Sequence, residues 1–431
     1  MFARQPEIEE CSKSEVDLFT TPETQTCIEN NFYTRVNPIT AISSPTAPIE
    51  FCINSSSDHF IDPTNIFLYC RFAIKKENGT PLPDDYKCYP ETNTLHSMFS
   101  DCEVFIQDQK ITTGAANYSY RSYIENMLSY SANDKQSKLV CEGFYSENKR
   151  NEIKTHYSKL KSKVFEGMGR LHIDICHQPR LILSGCDVKI KLFRNNAEFV
   201  IKKDTSITDN DKLIPYIEEI FLHVRRVKLT PHQQIYIEKN LNNTSAKYPI
   251  SRVEVKTFTI SAGLSSLMLS NVVNGKLPNR IIYGLVEHNA YIGIHNKPGF
   301  IFNHHNVKST AVYVNGTLFT HPIESSFSDN DTQKSLNVRA YHSLFNELSE
   351  ASDMVDLTIN EFKDHCCLYA VDLTQDRCVS LNEHLNPSQQ GELSLNFEFA
   401  NAVTQTLTLV VYLEFSGLIQ LDKARQIYTD F

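Results

Sequence analysis

The chain has 431 residues, 41% hydrophobic and 22% charged, an ordinary globular balance with room for two domains that each bury a core. Its formal charge of −9 argues against tight sequence-specific nucleic-acid binding, which needs a basic surface to neutralise phosphates. No apolar run approaches bilayer length and the N-terminus has no apolar leader, so neither a membrane span nor a secretory signal is expected.

Residues 1–35 read as an acidic arm: up to residue 31 there are seven acids against Arg4 and Lys13, a net of −5. Such a segment has too little apolar surface to offset its own conformational entropy. Short apolar runs bounded by Asn, Asp, Ser and Pro then predict strands at 49–53, 66–74, 102–106, 171–176 and 188–193. In the last of these Val188, Ile190 and Leu192 alternate with lysines, so one face is buried and the other solvated. Between them 118–130 reads as a helix with Tyr120, Ile124, Met127 and Leu128 on one side. From Lys135 to Lys163 eight Lys or Arg face three Glu, a net of +5, read as a solvated or inter-subunit loop rather than a stacking platform for nucleic acid.

A strand at 221–229 closes the first half, and Thr230 and Pro231 serve as N-cap and N1 of a connector helix reaching about Leu241. The second half opens with a strand at 251–260, where Val253 and Val255 are out of phase with Phe258 and Ile260, so a bulge near Lys256 and Thr257 is expected. Strands follow at 280–286, 311–314, 367–373, 392–399 and 406–415, with a helix at 338–349. In 406–415, Val410 and Tyr412 lie opposite the Leu407, Leu409, Val411 and Leu413 face, which implies cover on both faces.

Four features recur in order. The strand and turn at Val104 return at Val312, the helix with Arg121 at Arg339, the strand with Asp174 at Asp372, and the alternation led by Gly185 at Gly391. Their offsets of 208, 218, 198 and 206 point to two copies of one domain. The division is 1–35 arm, 36–230 first domain, 231–247 connector helix, and 248–431 second domain with a C-terminal tail. Many short strands and one short helix per half fit an all-β sandwich or jelly roll, since no βαβ alternation is present.

Chemistry is sparse. The chain has no phosphate-binding loop, HExxH zinc motif, nucleophile elbow or EF-hand loop. His288, His295, His304 and His305 are its densest histidine group, but their spacing matches no metal-ligand pattern and they read as ordinary loop residues. Cys367, after His365 and Cys366, reads as the start of a buried strand rather than a nucleophile. Asp174 and Asp372 hold equivalent places in separate domains and so are structural, each bonding a neighbouring turn. The twelve cysteines show no CxxC pair and read as reduced thiols of a chain made in the cytosol, where sequons such as Asn54 and Asn78 are chance occurrences. The expectation is therefore a protein without catalytic, cofactor-binding or metal-binding residues.

Several stretches sharpen this reading. The run from Ile61 to Leu68, that from His96 to Val104, and that from Asn117 to Ser129 resemble the major capsid protein of Polinton (Maverick) elements and adintoviruses. So do Leu171 to Asp174 with Gln178 to Leu183, Lys247 to Ile250, Leu277 to Arg280, and Gly284 to Gly293. The resemblance spans roughly residues 36–431 in order. It departs at Asn296 to Phe302, where the family's shorter Asn-Pro-Phe-x-Phe run is expanded, which puts that loop in doubt.

The resemblance implies two tandem eight-stranded jelly rolls with short intervening helices, standing upright in a capsid shell. It implies homotrimeric, pseudo-hexagonal capsomers of an icosahedral virion around a double-stranded DNA genome, with neighbouring capsomers, penton and minor capsid proteins as partners. The alternatives from other classes are a carbohydrate-binding or adhesin-like β-sandwich, for which a secretion signal would be expected, and a cupin-like enzyme, for which His304 and His305 lack the spacing.

Overall fold

The computed structural model describes residues 18–19, 21, 24–44, 46–112, 117–160, 163–204, 206–207, 211–294, 296–327, 337–348, 357–379 and 384–430. Eight strands of the first half build two antiparallel sheets: β1 (Ile28–Val36), β2 (Ile49–Ile53), β3 (His59–Lys76), β4 (Phe99–Ile106), β5 (Gln109–Lys110), β6 (Val164–Arg170), β7 (Val188–Arg194) and β8 (Leu213–Leu229). Their orders are β1-β8-β3-β6 and β2-β7-β4-β5. The second half has β9 (Ala246–Ile260), β10 (Ser266–Lys276), β11 (Arg280–Glu287), β12 (Val307–Val314), β13 (Thr317–Leu318), β14 (Leu368–Asp372), β15 (Gln390–Phe399) and β16 (Leu407–Leu421). The main paths of its sheets run β9-β16-β11-β14 and β10-β15-β12-β13, the first-half orders with every number raised by eight, with the short strands Ile427–Thr429 and Ile323–Glu324 added on β16 and β12. Each half is a jelly roll of the same topology.

Local chemistry explains the matching pieces. The β4–β5 and β12–β13 hairpins each turn on two residues with positive φ, Gln107 and Asp108 in one, Asn315 and Gly316 in the other. That backbone twist suits the right-handed twist of the flanking strands. In β7 Val188, Ile190 and Leu192 are buried while the lysines between them are half-exposed, as their alternation requires. Helices α1 (Tyr118–Ser129) and α4 (Val338–Leu348) occupy equivalent places, between β5 and β6 and between β13 and β14; α2 (Arg150–Lys159) and α3 (Pro231–Leu241) lie between them in sequence.

Five expectations change. The chain enters the first sheet at Ile28, where β1 pairs antiparallel with β8 (Val36 against Leu222), so residues 28–35 belong to a strand and not to the arm. As an edge strand of mostly exposed residues, β1 carries no apolar alternation to read. Residues 1–17 lie outside the described residues. The strand expected at 171–176 is displaced to Val164–Arg170, and Asp174–His177 forms a 3-10 turn after it. Gly167 and Gly169 remove the apolar pattern from that strand, and a Cβ on Gly169 would lie 2.4 Å from Glu142 Cγ.

No bulge occurs near Lys256. β9 pairs with β16 without a register shift from Ala246 opposite Leu421 to Ile260 opposite Leu407. Both faces of β9 are covered, so no change of phase is needed. The basic stretch is not a solvated loop throughout: it contains α2, whose Arg150 is buried against a carboxylate. Thr230 precedes Pro231 at the start of α3 but its hydroxyl makes no capping bond.

The two jelly rolls interlock. Tyr120, Tyr123, Ile124, Met127 and Leu128 of α1 belong to the apolar cluster of the second half. Tyr248 and Ile250 of β9, Ile419 and Leu421 of β16, and Ile427 belong to that of the first. Each large apolar side chain buried this way is worth about 1.5–3 kcal/mol. The seam between the halves is thus built like an interior.

Candidate functional site

The densest buried chemistry lies on this seam, around α1. Ten of the twelve α1 residues are buried because the first jelly roll lies on one side and β9 and β16 on the other. Polar side chains on such a helix must find partners.

Arg121 Nε lies 2.8 Å from Glu125 Oε1, one turn on, and its NH2 lies 2.8 Å from Asp174 Oδ1. Asp174 also accepts the N–H of Val253 in β9 at 3.2 Å. The Tyr412 hydroxyl of β16 donates to Glu125 Oε1 at 3.2 Å. Asn117 Nδ2 donates to the Val255 carbonyl at 3.1 Å, and the Tyr291 hydroxyl donates to Asn117 Oδ1 at 3.0 Å. Burial would lift the Glu125 pKa, but Arg121 and the His172 and His177 hydrogen bonds outweigh it and hold the carboxyl well below its usual range. For Asp174 burial prevails over Arg121 and the pKa is raised.

Behind α1 lies a histidine–carboxylate group. His172 Nδ1 is 2.6 Å from Glu125 Oε2, and His177 Nε2 is 3.5 Å from the same oxygen. His96 Nδ1 is 2.9 Å from the Tyr118 hydroxyl and its Nε2 is 3.3 Å from Glu142 Oε2. The His96 and His172 rings meet edge-to-face at 4.6 Å. Asn126 Nδ2 donates to Glu142 Oε2 at 3.2 Å and to Asn93 Oδ1 at 3.1 Å. Burial pushes His172 down to about 4, so it is neutral at pH 7 despite Glu125.

A third group joins the halves elsewhere. Glu91, fully buried, accepts Arg150 NH2 at 2.6 Å and the Gly299 N–H at 3.0 Å, with Lys202 Nζ at 3.7 Å. The Tyr120 hydroxyl donates to the Gly299 carbonyl at 2.7 Å, and Tyr123 stacks on Phe300 at 4.5 Å. Gly299 is required because a Cβ would lie 2.5 Å from Phe199 Cε2. The loop whose expansion departs from the resembled pattern therefore makes part of the seam.

Among the described residues, no group of converging ligand atoms contains a histidine singled out in the sequence. His288 Nδ1 lies 2.9 Å from Thr408 Oγ1; His304 Nδ1 accepts the Asn306 N–H at 2.9 Å and its ring stacks on Phe327. His305 is pushed down to about 4 by burial, against the pull of Glu287. His295 lies outside the described residues. Among the described residues, His/Cys/Asp/Glu groups with three converging ligand atoms are instead His96–Glu142–His172 and Glu125–His172–His177. Their members come from segments distant in sequence, so no local spacing announces them.

Cys366 and Cys367 are buried and burial pushes both thiols up to about 12, unsuited to nucleophilic attack at neutral pH. Asp372 bonds its own turn, accepting the Thr374 N–H at 2.8 Å and hydroxyl at 2.6 Å, whereas Asp174 reaches across the seam. No helix among the described residues is long and apolar enough to cross a membrane.

No protein-family model matches the chain. An uncharacterised protein of Caenorhabditis elegans is 26% identical over 429 residues, covering 95% of this chain and 99% of its own. Among solved structures, a chain in the 3.5 Å cryo-electron microscopy structure of the Sputnik virophage is similar at TM-score 0.63 and 11% identity, over 100% of this chain and 94% of that one. A chain of the quasi-atomic PBCV-1 virus capsid is similar at TM-score 0.60 and 9% identity, over 96% and 99%. The mavirus major capsid protein is similar at TM-score 0.53 and 8% identity, over 100% and 97%. The fold is the double jelly roll of these viral capsid proteins.

Proposed function

We propose that the chain is a major capsid protein of a double-stranded DNA virus or virus-like transposon. Three copies form a pseudo-hexagonal capsomer of an icosahedral shell. The observation that carries this reading is the doubled topology, one strand order repeated with every number raised by eight over the whole chain. A trimer of doubled domains offers six similar units and tiles a hexagonal lattice, whereas a trimer of single domains offers three corners. Similarity over at least 94% of each of the three compared chains supports it.

The Polinton and adintovirus resemblance supplies the lineage. Neighbouring capsomers, a penton protein and minor capsid proteins are the partners, and the virion is the final location. The domain division keeps a connector between Leu229 and Ala246 whose helix is Pro231–Leu241, with the first jelly roll beginning at Ile28. The reading assigns no catalytic step to the protein. Native mass spectrometry of the purified chain is expected to give a trimer, and negative-stain images to show hexagonal outlines about a threefold axis. A stable monomer at micromolar concentration would overturn the capsomer.

A further inference from the structure

We infer that the histidine–carboxylate group behind α1 is a structural metal site, in which His96, Glu142 and His172 bind one divalent transition-metal ion, zinc by the chemistry of the ligands. One ligand atom from each of the three lies within 4.8 Å of the other two, and His96 Nε2 is 3.3 Å from Glu142 Oε2. Four-coordinate zinc with bonds of about 2.0–2.1 Å sets its ligand atoms about 3.3 Å apart. One edge of that tetrahedron already has this length, and the others need to close by at most about 1.5 Å.

The surroundings orient the ligands as metal ligands are oriented. A ligating imidazole is characteristically held through its other nitrogen by a carboxylate or another polar group. His172 Nδ1 is held by Glu125 at 2.6 Å, and His96 Nδ1 by the Tyr118 hydroxyl at 2.9 Å, which leaves each ring its Nε2 for the ion. Asn126 steadies Glu142 at 3.2 Å. Gly169 makes the place for that carboxylate, since a Cβ there would lie 2.4 Å from Glu142 Cγ and 2.5 Å from its Oε1.

Two imidazoles and one carboxylate favour zinc over calcium or magnesium, which take oxygen ligands. The alternative group, Glu125–His172–His177, is less suited, because Glu125 is already bonded to Arg121 and Tyr412 and an ion there would sit beside the guanidinium.

The three ligands come from the Thr94–Ser97 helix, the Leu139–Glu142 turn and the segment after β6, so the ion would tie these segments together beneath α1. The test uses the full-length chain, stripped with a chelator and then titrated with zinc chloride, with calcium chloride as control. Bound metal is counted by inductively coupled plasma mass spectrometry and stability is followed by thermal unfolding. One zinc per chain and a zinc-dependent, calcium-independent rise in melting temperature are expected. His96→Gln and Glu142→Gln are expected to abolish stoichiometric binding. Glu125→Gln, which leaves the three ligands in place, and Gly169→Ala, whose Cβ crowds Glu142, are expected to weaken it about 10–100-fold.

Should the ligand variants fail to fold, X-ray absorption at the zinc edge of the unmodified protein identifies the ligands directly: two imidazoles and a carboxylate are expected, and a sulfur ligand would overturn the site. A folded, stripped chain that takes up less than a tenth of an equivalent of zinc would overturn it too. Stoichiometric zinc retained in folded His96→Gln would have the same effect.

Discussion

Asp174 and Asp372 stand near the ends of the corresponding strands β6 and β14, yet their chemical roles differ. Asp372 closes a two-residue turn on Thr374, while Asp174 faces Arg121 and caps an N–H of the other jelly roll. Asp174→Ala strands a buried guanidinium beside Glu125 alone and is expected to lower unfolding free energy by about 3 kcal/mol. Asp372→Ala is expected to lower it by about 1 kcal/mol. Urea unfolding of the two variants measures the difference, and equal losses would show that the seam contact adds nothing.

Acid is expected to weaken the fold through His305, whose folded pKa of about 4 lies below the ordinary 6.5. Between those values the unfolded chain takes up a proton that the folded chain refuses. This contribution is therefore whole above about pH 6.5 and is lost as pH falls toward 4. Allowing for partial exposure, about 1 kcal/mol should be gone by pH 5. His305→Gln should flatten the corresponding fall in melting temperature; the same fall in both proteins would assign it to another group. The Asp372 turn was legible in the sequence because its partner is local. The His96–Glu142–His172 group was not, because only the folded chain gathers those residues.

Strands with one buried face were the most legible elements. The Val188, Ile190, Leu192 alternation marked β7, and Val410 with Tyr412 correctly announced a second covered face on β16, where the Tyr412 hydroxyl meets Glu125 of α1. Elements whose surroundings break the simple pattern were lost. β1 and much of β10 are exposed, β6 is interrupted by glycines, and β9 is covered on both faces, so its change of phase resembled a bulge. In β11, Gly284 occupies a place where a Cβ would lie 2.7 Å from Phe302 Cδ1, 2.8 Å from Leu368 Cδ2 and 3.1 Å from the Cys367 carbonyl. Gly284→Ala is expected to cost about 1–3 kcal/mol through overpacking, read as a lower urea midpoint with unchanged slope. An unchanged midpoint would mean that the β11–β14 sheet yields more readily than its packing implies.

At the scale of the molecule, the repeated topology was legible as a near-constant offset between features, while the exchange of side chains between the two cores was not. Two independent domains would melt separately. Because α1 is buried in the second half and the ends of β9 and β16 in the first, a single calorimetric transition is expected. Two resolved transitions would show that the seam opens before either jelly roll melts. The same exchange has a consequence for synthesis. β8 completes the first jelly roll at Leu229, but the second-half cover for α1 includes β16, which ends at Leu421. At ordinary elongation rates the ribosome takes roughly 10–40 s to cover that distance. For that interval the nascent first half carries the apolar side of α1 uncovered, a natural holding point for a chaperone.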